Sequence, residues 1–303
     1  MLDDLAKNSL ISCSEIALKE GKQLWLVGGF IRDSLSGLAK DQKDLDLVME
    51  GDYCSFIEKA ASFFQCEYKV FPQFLTAKFI DLPGFLELDI ASMRAETYHC
   101  PGALPSVVSA DFSADVQRRD FTINAIYLKL DDFIKSNFEV KKELLVDKLL
   151  GLQDLENKLI RVLHSESFIE DPTRLFRAIR YSQKIDANFD TETQRLFNNA
   201  LQSHALESIS RQRIINEIRK ACTEKCWQAV FKAFAVSGLL IEAGLLQENS
   251  LNRFLDCVNN NSDLEPFDFV CYTLYQLNPD KHLFASFGFG KRFFKAAEKN
   301  FLE

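Results

Sequence analysis

LWLVGGFIRDSLSGLAKDQKDLDLVMEGD, residues 24–52, is the stretch on which the reading of this chain turns. Its first four residues are apolar and β-prone, the pattern of a buried strand. The two glycines after it let the backbone turn tightly and let a phosphate approach the amide groups. Arg32 and Asp33 then start a helix, and DLDLVME alternates as a second strand. Asp44 and Asp46 lie two apart on that strand. A period of two puts both carboxylates on one face, where they can hold a hard divalent cation such as Mg2+. One or two such ions can bridge a triphosphate and an attacking hydroxyl. The glycine pattern is not G-x-G-x-x-G, which excludes a dinucleotide oxidoreductase, and no P-loop is present.

Outward from this stretch, residues 1–22 read as a helix closed by Gly21, and residues 55–64 as another. EYKVF, TAKFIDL and FLELDIAS follow as strands separated by Pro72, Gln73, Pro83 and Gly84. Residues 94–115 carry Pro101, Gly102 and Pro105 without a sustained period, so a mobile loop is expected there. Beyond Leu150 strand signals nearly vanish and helical periods take over. The fold class is therefore α+β: a small mixed sheet with helices over residues 1–150, then an all-α remainder.

The 303 residues include 36 basic and 44 acidic side chains, a net charge of −8, so any nucleic-acid contact must use a local basic patch. A content of 47% hydrophobic and 26% charged residues excludes long disorder and a collagen-like fibre. The longest apolar stretch, residues 230–246, is interrupted by Lys232 and Glu242 and is too short to cross a bilayer, so no membrane partner is expected. Eight cysteines form no C-x-x-C pair, and the four histidines lie far from any cysteine pair, which argues against zinc. No basic segment followed by an apolar one opens the chain, and thiols in this pattern favour a reducing compartment, the cytoplasm. The 27 scattered phenylalanines read as core material.

Two further segments carry chemistry: RRDFTINAI at 118–126 and EDPTRLFRAIRY at 170–181. At about 100° per residue, Asp171, Arg174, Arg177 and Arg180 step round one half of a helix. Leu175, Phe176 and Ile179 take the opposite arc. With LVGGFIRD and DLDLV, these segments resemble the class II tRNA nucleotidyltransferases, whose head and motifs bacterial poly(A) polymerases share. Both belong to the DNA polymerase β superfamily of nucleotidyltransferases. The resemblance covers residues 20–220 and implies a nucleotidyltransferase head at 1–150, a nucleotide-selecting helical neck at 151–225 and a shortened helical body and tail at 226–303.

The resemblance also implies roles. Asp44 and Asp46 would be the Mg2+ ligands, with Asp89 as third catalytic carboxylate and Glu87 its rival. Gly29, Arg32 and Arg119 would contact the nucleotide, Arg118 being more expendable, while Asp120 and Asn124 would organise the turn and the ribose neighbourhood. Asp171 and Arg174 would read the base edge of CTP or ATP, protein standing in for a template, with Arg177 and Arg180 as further nucleotide contacts. LVDKLLGLQDLENKLIRVL matches another family segment, although Lys148 stands where proline is usual. ISRQRIINEIRKA resembles the neck helix; there Arg213 and Glu217 read as structural, and Ile214, Ile215 and Ile218 as core. Arg174, Arg177, Arg180, Arg211, Arg213, Arg219 and Lys220 would supply a positive groove for tRNA.

The implied activity is addition of the 3′-terminal CCA to tRNA from CTP and ATP by metal-dependent nucleotidyl transfer, without a nucleic-acid template. Rivals are an A-adding or CC-adding enzyme with half of that activity, then a bacterial poly(A) polymerase, then a non-catalytic RNA-binding relative. The segment around PGALP at 101–105 leans towards CCA or A addition. The chain lacks the extra basic termini of poly(A) polymerases, and all four of Asp44, Asp46, Asp171 and Arg174 are present. Oligomeric state is not legible.

Overall fold

In the computed structural model, which describes residues 2–38, 45–85, 87–260 and 264–298, the chain divides into two compact units. The first comprises Met1–His99 with Leu104–Leu163, the second Cys100–Ala103 with His164–Glu303. The boundary thus lies past the expected residue 150. Asp154 explains why: it is buried, accepts from Thr122 Oγ1 at 2.7 Å and pairs with Arg161 at 2.9 Å, so this segment is tied to the first unit.

The first unit contains the strands β1 (Leu24–Val27), β2 (Asp46–Met49), β3 (Glu67–Phe71), β4 (Thr76–Ile80), β5 (Glu87–Ser92), β6 (Arg94–Thr97), β7 (Ser106–Ser109), β8 (Ile126–Lys129) and β9 (Leu145–Asp147). Seven of them form one sheet in the order β3-β4-β5-β2-β1-β8-β9. Only β2 and β5 pair in parallel; every other neighbouring pair is antiparallel. Strict alternation gives the sheet two unlike faces. Leu26, Leu47, Phe79, Ile90 and Leu128 point into the main core, built with α1 (Asp4–Lys19), α2 (Gly29–Leu35), α3 (Cys54–Phe64) and α5 (Leu130–Lys135), whereas α4 (Phe112–Gln117) packs on the opposite face. The other face carries Asp46 and a smaller apolar cluster of Val27, Val48, Met93, Val116 and Tyr127.

Residues 94–115 are not an irregular loop. β6 and β7 pair as an antiparallel hairpin, and Asp111 caps α4 by accepting from Ala114 N at 2.9 Å. The Pro- and Gly-rich stretch is confined to the connection between the two strands, which is too short a segment for periodicity to reveal.

The second unit is built from helices that include α8 (Thr173–Lys184), α10 (Arg211–Cys222), α11 (Trp227–Val236), α13 (Leu251–Asn259) and α14 (Pro266–Leu277), with α6 (Gly151–Glu156) in the first unit and α7 (Ser167–Glu170), α9 (Thr191–Gln202) and α12 (Leu239–Glu242) in the second completing the order. Leu175, Phe176 and Ile179 are buried, as are Ile214, Ile215 and Ile218. Phe176 meets Phe234 edge-on at 5.4 Å, joining α8 to α11, and Phe231, Leu239, Leu240, Phe269 and Phe284 fill the same interior. No described helix is long and apolar enough to cross a membrane.

Candidate active site

Asp46 opens β2 with its side chain exposed on the open face of the sheet. β5 runs parallel beside it, and the register sets Asp89 directly against Asp46. Asp89 is also exposed. Two hard carboxylates on adjacent strands of one face suit a hard cation with coordination positions left for substrate oxygens. Among the described residues no group of three or more His, Cys, Asp or Glu side chains gathers as a metal cluster. Asp44, the expected first ligand, lies outside the described residues. Glu87, the rival third carboxylate, is two residues along the same strand face and bonds Lys78 Nζ at 2.6 Å.

Gly28 takes a backbone position in the left-handed region. Its φ is +80°, and a Cβ there would sit 3.4 Å from Asp46 Oδ2. A glycine at this turn keeps the backbone open to an anion beside the carboxylate. Gly29 is the first residue of α2.

The structure places Arg32 inside the fold. Its side chain is 3% exposed, held by Asp33 Oδ1 at 2.6 Å and by Asn124 Oδ1 at 2.7 Å. Asn124 in turn donates to Asp120 Oδ1 at 3.0 Å, and Phe121 N donates to the same oxygen at 2.9 Å. This chain of bonds joins the glycine-turn helix to the RRDFTINAI segment, so Asp120 and Asn124 organise the turn.

Arg119 belongs to a second network centred on Asp115, a residue sequence reasoning passed over. Asp115 is fully buried. It receives Arg119 Nη2 at 2.8 Å, Arg118 Nη2 at 2.7 Å and the Tyr127 hydroxyl at 2.6 Å. Arg119 Nε donates to the Tyr127 oxygen at 2.6 Å, and its guanidinium lies 4.9 Å from the centre of that ring. Burial by itself raises the Asp115 pKa. The charges of Arg119 and Arg118 and the Tyr127 hydrogen bond outweigh it and bring the carboxyl to about 2. Arg118 has a structural role: its Nη1 reaches Glu96 Oε1 at 3.0 Å, which also takes Arg94 Nε at 3.0 Å, fastening the hairpin to the end of α4. The signal for this cluster was D-x-x-R-R with a tyrosine eight residues further on, which has no period.

In the second unit, Asp171 lies two residues before the start of α8, with Pro172 at the N-cap. Its Oδ1 receives Thr173 N at 3.0 Å, Thr173 Oγ1 at 2.6 Å and Arg213 Nη2 at 2.7 Å. Arg213 also donates from Nη1 to the Gly102 carbonyl at 2.6 Å, and Gly102 N bonds the carbonyls of Ile169 and Glu170, each at 3.2 Å. Gly102 has φ +70°, and a Cβ would overlap Ser208. Arg174 is 4% exposed and donates to Ser167 Oγ at 2.8 Å. Arg180 is buried between Glu217 at 3.0 Å and Glu224 at 3.3 Å. Arg177 lies 5.3 Å from the centre of the Tyr181 ring. The seven cations expected to form one positive groove are therefore divided: Arg174 and Arg180 are buried in hydrogen-bonded sites, Arg177 and Arg213 are half-buried, and Arg211, Arg219 and Lys220 stay exposed on α10.

Residues 24–161 match the Poly A polymerase head domain family, the span that holds the sheet, the glycine turn and the Asp115 network. This chain belongs to the class II tRNA nucleotidyltransferase and poly(A) polymerase family. Among its class II relatives, the A-adding tRNA nucleotidyltransferase of Geobacter sulfurreducens is 40% identical over 195 residues, 64% of this chain and 21% of that protein. The A-adding tRNA nucleotidyltransferase of Halalkalibacterium halodurans is 39% identical over 212 residues, 69% of this chain and 47% of that one. The chain thus spans less than half the length of either. The similarity extends to solved structures. A tRNA nucleotidyltransferase complexed with a primer tRNA and an incoming ATP analog is 27% identical with a TM-score of 0.74, covering 94% of this chain and 82% of that one.

Proposed function

We propose that this chain is a tRNA nucleotidyltransferase that adds AMP from ATP to the tRNA 3′ end. The observation that carries the reading is the rung formed by Asp46 and Asp89 on the open sheet face, beside the Gly28 turn. A-only addition is preferred to the full CCA activity because both A-adding relatives are near 40% identical over this region.

Asp46 and Asp89, with Asp44, would hold Mg2+, which when bound supplies Lewis acidity at the α-phosphate and lowers the pKa of the attacking hydroxyl. The chain's own groups bind and orient. The Gly28–Gly29 turn offers backbone amides to the triphosphate, and Arg119, fixed by Asp115 and Tyr127, offers a permanent cation. Arg32 acts through Asn124, holding that turn. Asp171 accepts from the exocyclic amine of the base and Arg174 donates to a ring acceptor, a pattern that accepts A and C and rejects G and U. Arg177, one turn further along α8, would be a further nucleotide contact, while Arg180, held by Glu217, ties α8 to α10.

The test is nucleotide incorporation on tRNA transcripts ending at the discriminator base, at the first C or at the second C, with ATP and CTP given separately and together. A single AMP added only to the transcript ending in CC supports the proposal. A complete CCA built from the discriminator base would replace it with full CCA addition, and long A tails with poly(A) polymerase. No incorporation that Asp46→Ala or Asp89→Ala abolishes would end the enzyme reading.

A further inference from the structure

The register of the sheet continues the carboxylate rung outward as a row of cations. Asp46 is opposite Asp89, Asp89 is opposite Lys78 on β4, and Lys78 is opposite Lys69 on β3. Residues directly opposite one another project from the same face, and strands lie about 4.8 Å apart. Lys78 Nζ is 3.5 Å from Asp89 Oδ1 and 2.6 Å from Glu87 Oε2. Lys69 is exposed on the edge strand, with Nζ 5.4 Å from the centre of the Phe71 ring on the same face. Among the described residues it makes no ion pair. Glu67 and Glu87 occupy the neighbouring rung, so the cations form a single line that ends at Asp89.

The two sides of the carboxylate pair are thus unlike. On one side lies the Gly28 turn, open to the polyphosphate of a nucleotide. On the other lie Lys78 and, one strand further out, Lys69, in line with Asp89. The second substrate is an RNA chain whose terminal hydroxyl must reach the carboxylates while its backbone leads away. We propose that Lys78 and Lys69 seat the phosphodiester backbone of the last two nucleotides of the primer RNA, Lys78 taking the terminal nucleotide. This rests on the nucleotidyltransferase reading above and adds the direction from which the primer enters. A compact ammonium on a flexible stem suits a backbone phosphate whose position alters between bound states, and Phe71 beside Lys69 offers an apolar surface on which a base can stack.

The test uses the whole chain and tRNA transcripts ending in CC. Periodate converts the terminal ribose of the transcript to a dialdehyde, which is incubated with protein in EDTA and reduced with cyanoborohydride. The adduct is expected on Lys78, and mapping to a lysine off β3 and β4 overturns the proposal. In steady state with Mg2+, Lys78→Ala and Lys69→Ala should each raise the KM for tRNA about fivefold, leave the KM for ATP within twofold and flatten the salt dependence of tRNA binding by roughly one phosphate contact. Lys69→Arg should restore the tRNA KM. If Lys78→Ala shifts only the Mg2+ dependence, Lys78 serves Asp89 alone and the proposal fails. A wild-type chain that incorporates no nucleotide yet gives the Lys78 adduct would sink the enzyme reading and leave the RNA seat standing.

Discussion

Replacing Asp115 by Asn tests the account of the buried network. The carboxylate sits between two guanidinium groups and a phenol with no exposure to solvent. Its pKa is brought from 3.8 to about 2 by those partners against the opposing effect of burial. Each tenfold change in proton affinity is worth about 1.4 kcal/mol, so the charged form contributes about 2 kcal/mol to folding. Because the folded pKa is depressed, that contribution is complete above the unfolded value near 4 and is lost as pH falls through about 2. At pH 3 about 1 kcal/mol of it has gone. Asn keeps the shape but carries no charge, leaving two arginines with an uncompensated site, a change that destabilises by about 3 kcal/mol near neutral pH. Urea denaturation of wild type and Asp115→Asn, followed from pH 7 to pH 3, reads the difference directly. The gap between the two proteins should be constant above pH 5 and narrow by about 1 kcal/mol at pH 3. A gap that stays constant down to pH 3 would refute the assignment of the charge-dependent stability to Asp115.

Two other outcomes follow from the second unit. Asp171→Asn replaces an acceptor by an amide while leaving the turn before α8 able to form; discrimination of ATP against GTP should fall at least tenfold in competition assays, with stability lowered by no more than about 1 kcal/mol through the weakened Arg213 pair. Gly102→Ala forces a side chain into Ser208 at φ +70°; it should lower stability by about 1–3 kcal/mol in chemical denaturation, whereas Ala103→Gly, on the next residue, should have less than half that effect.

Much of this protein was legible because its determinants are local. The alternation of DLDLVME, the glycine turn and the apolar arc of Leu175, Phe176 and Ile179 each follow from a period of 2 or 3.6 that neighbouring residues impose on one another. The hairpin at 94–109 was missed because its strands are four residues each and their partner is each other, not a pattern within either. The position of the boundary between units was missed for a similar reason: Asp154 is bound to the first unit by Thr122, 32 residues away.

By itself, the sequence determined the mixed sheet followed by helices, the pairing of a glycine turn with an acidic strand, and an arginine-bearing helix within 170–181, which the structure sets at Thr173–Lys184. Composition and short-range spacing are enough for those, since they concern residues within one or two turns of each other. Only the tertiary structure decided which of the charged residues face outward. Arg32 and Arg180 are buried partners of Asn124 and Glu217, while Lys78 and Lys69 align with Asp89 through strand register. Register is set by backbone hydrogen bonds between segments far apart in the chain, and burial by what packs over each side chain, neither of which is written in any single stretch.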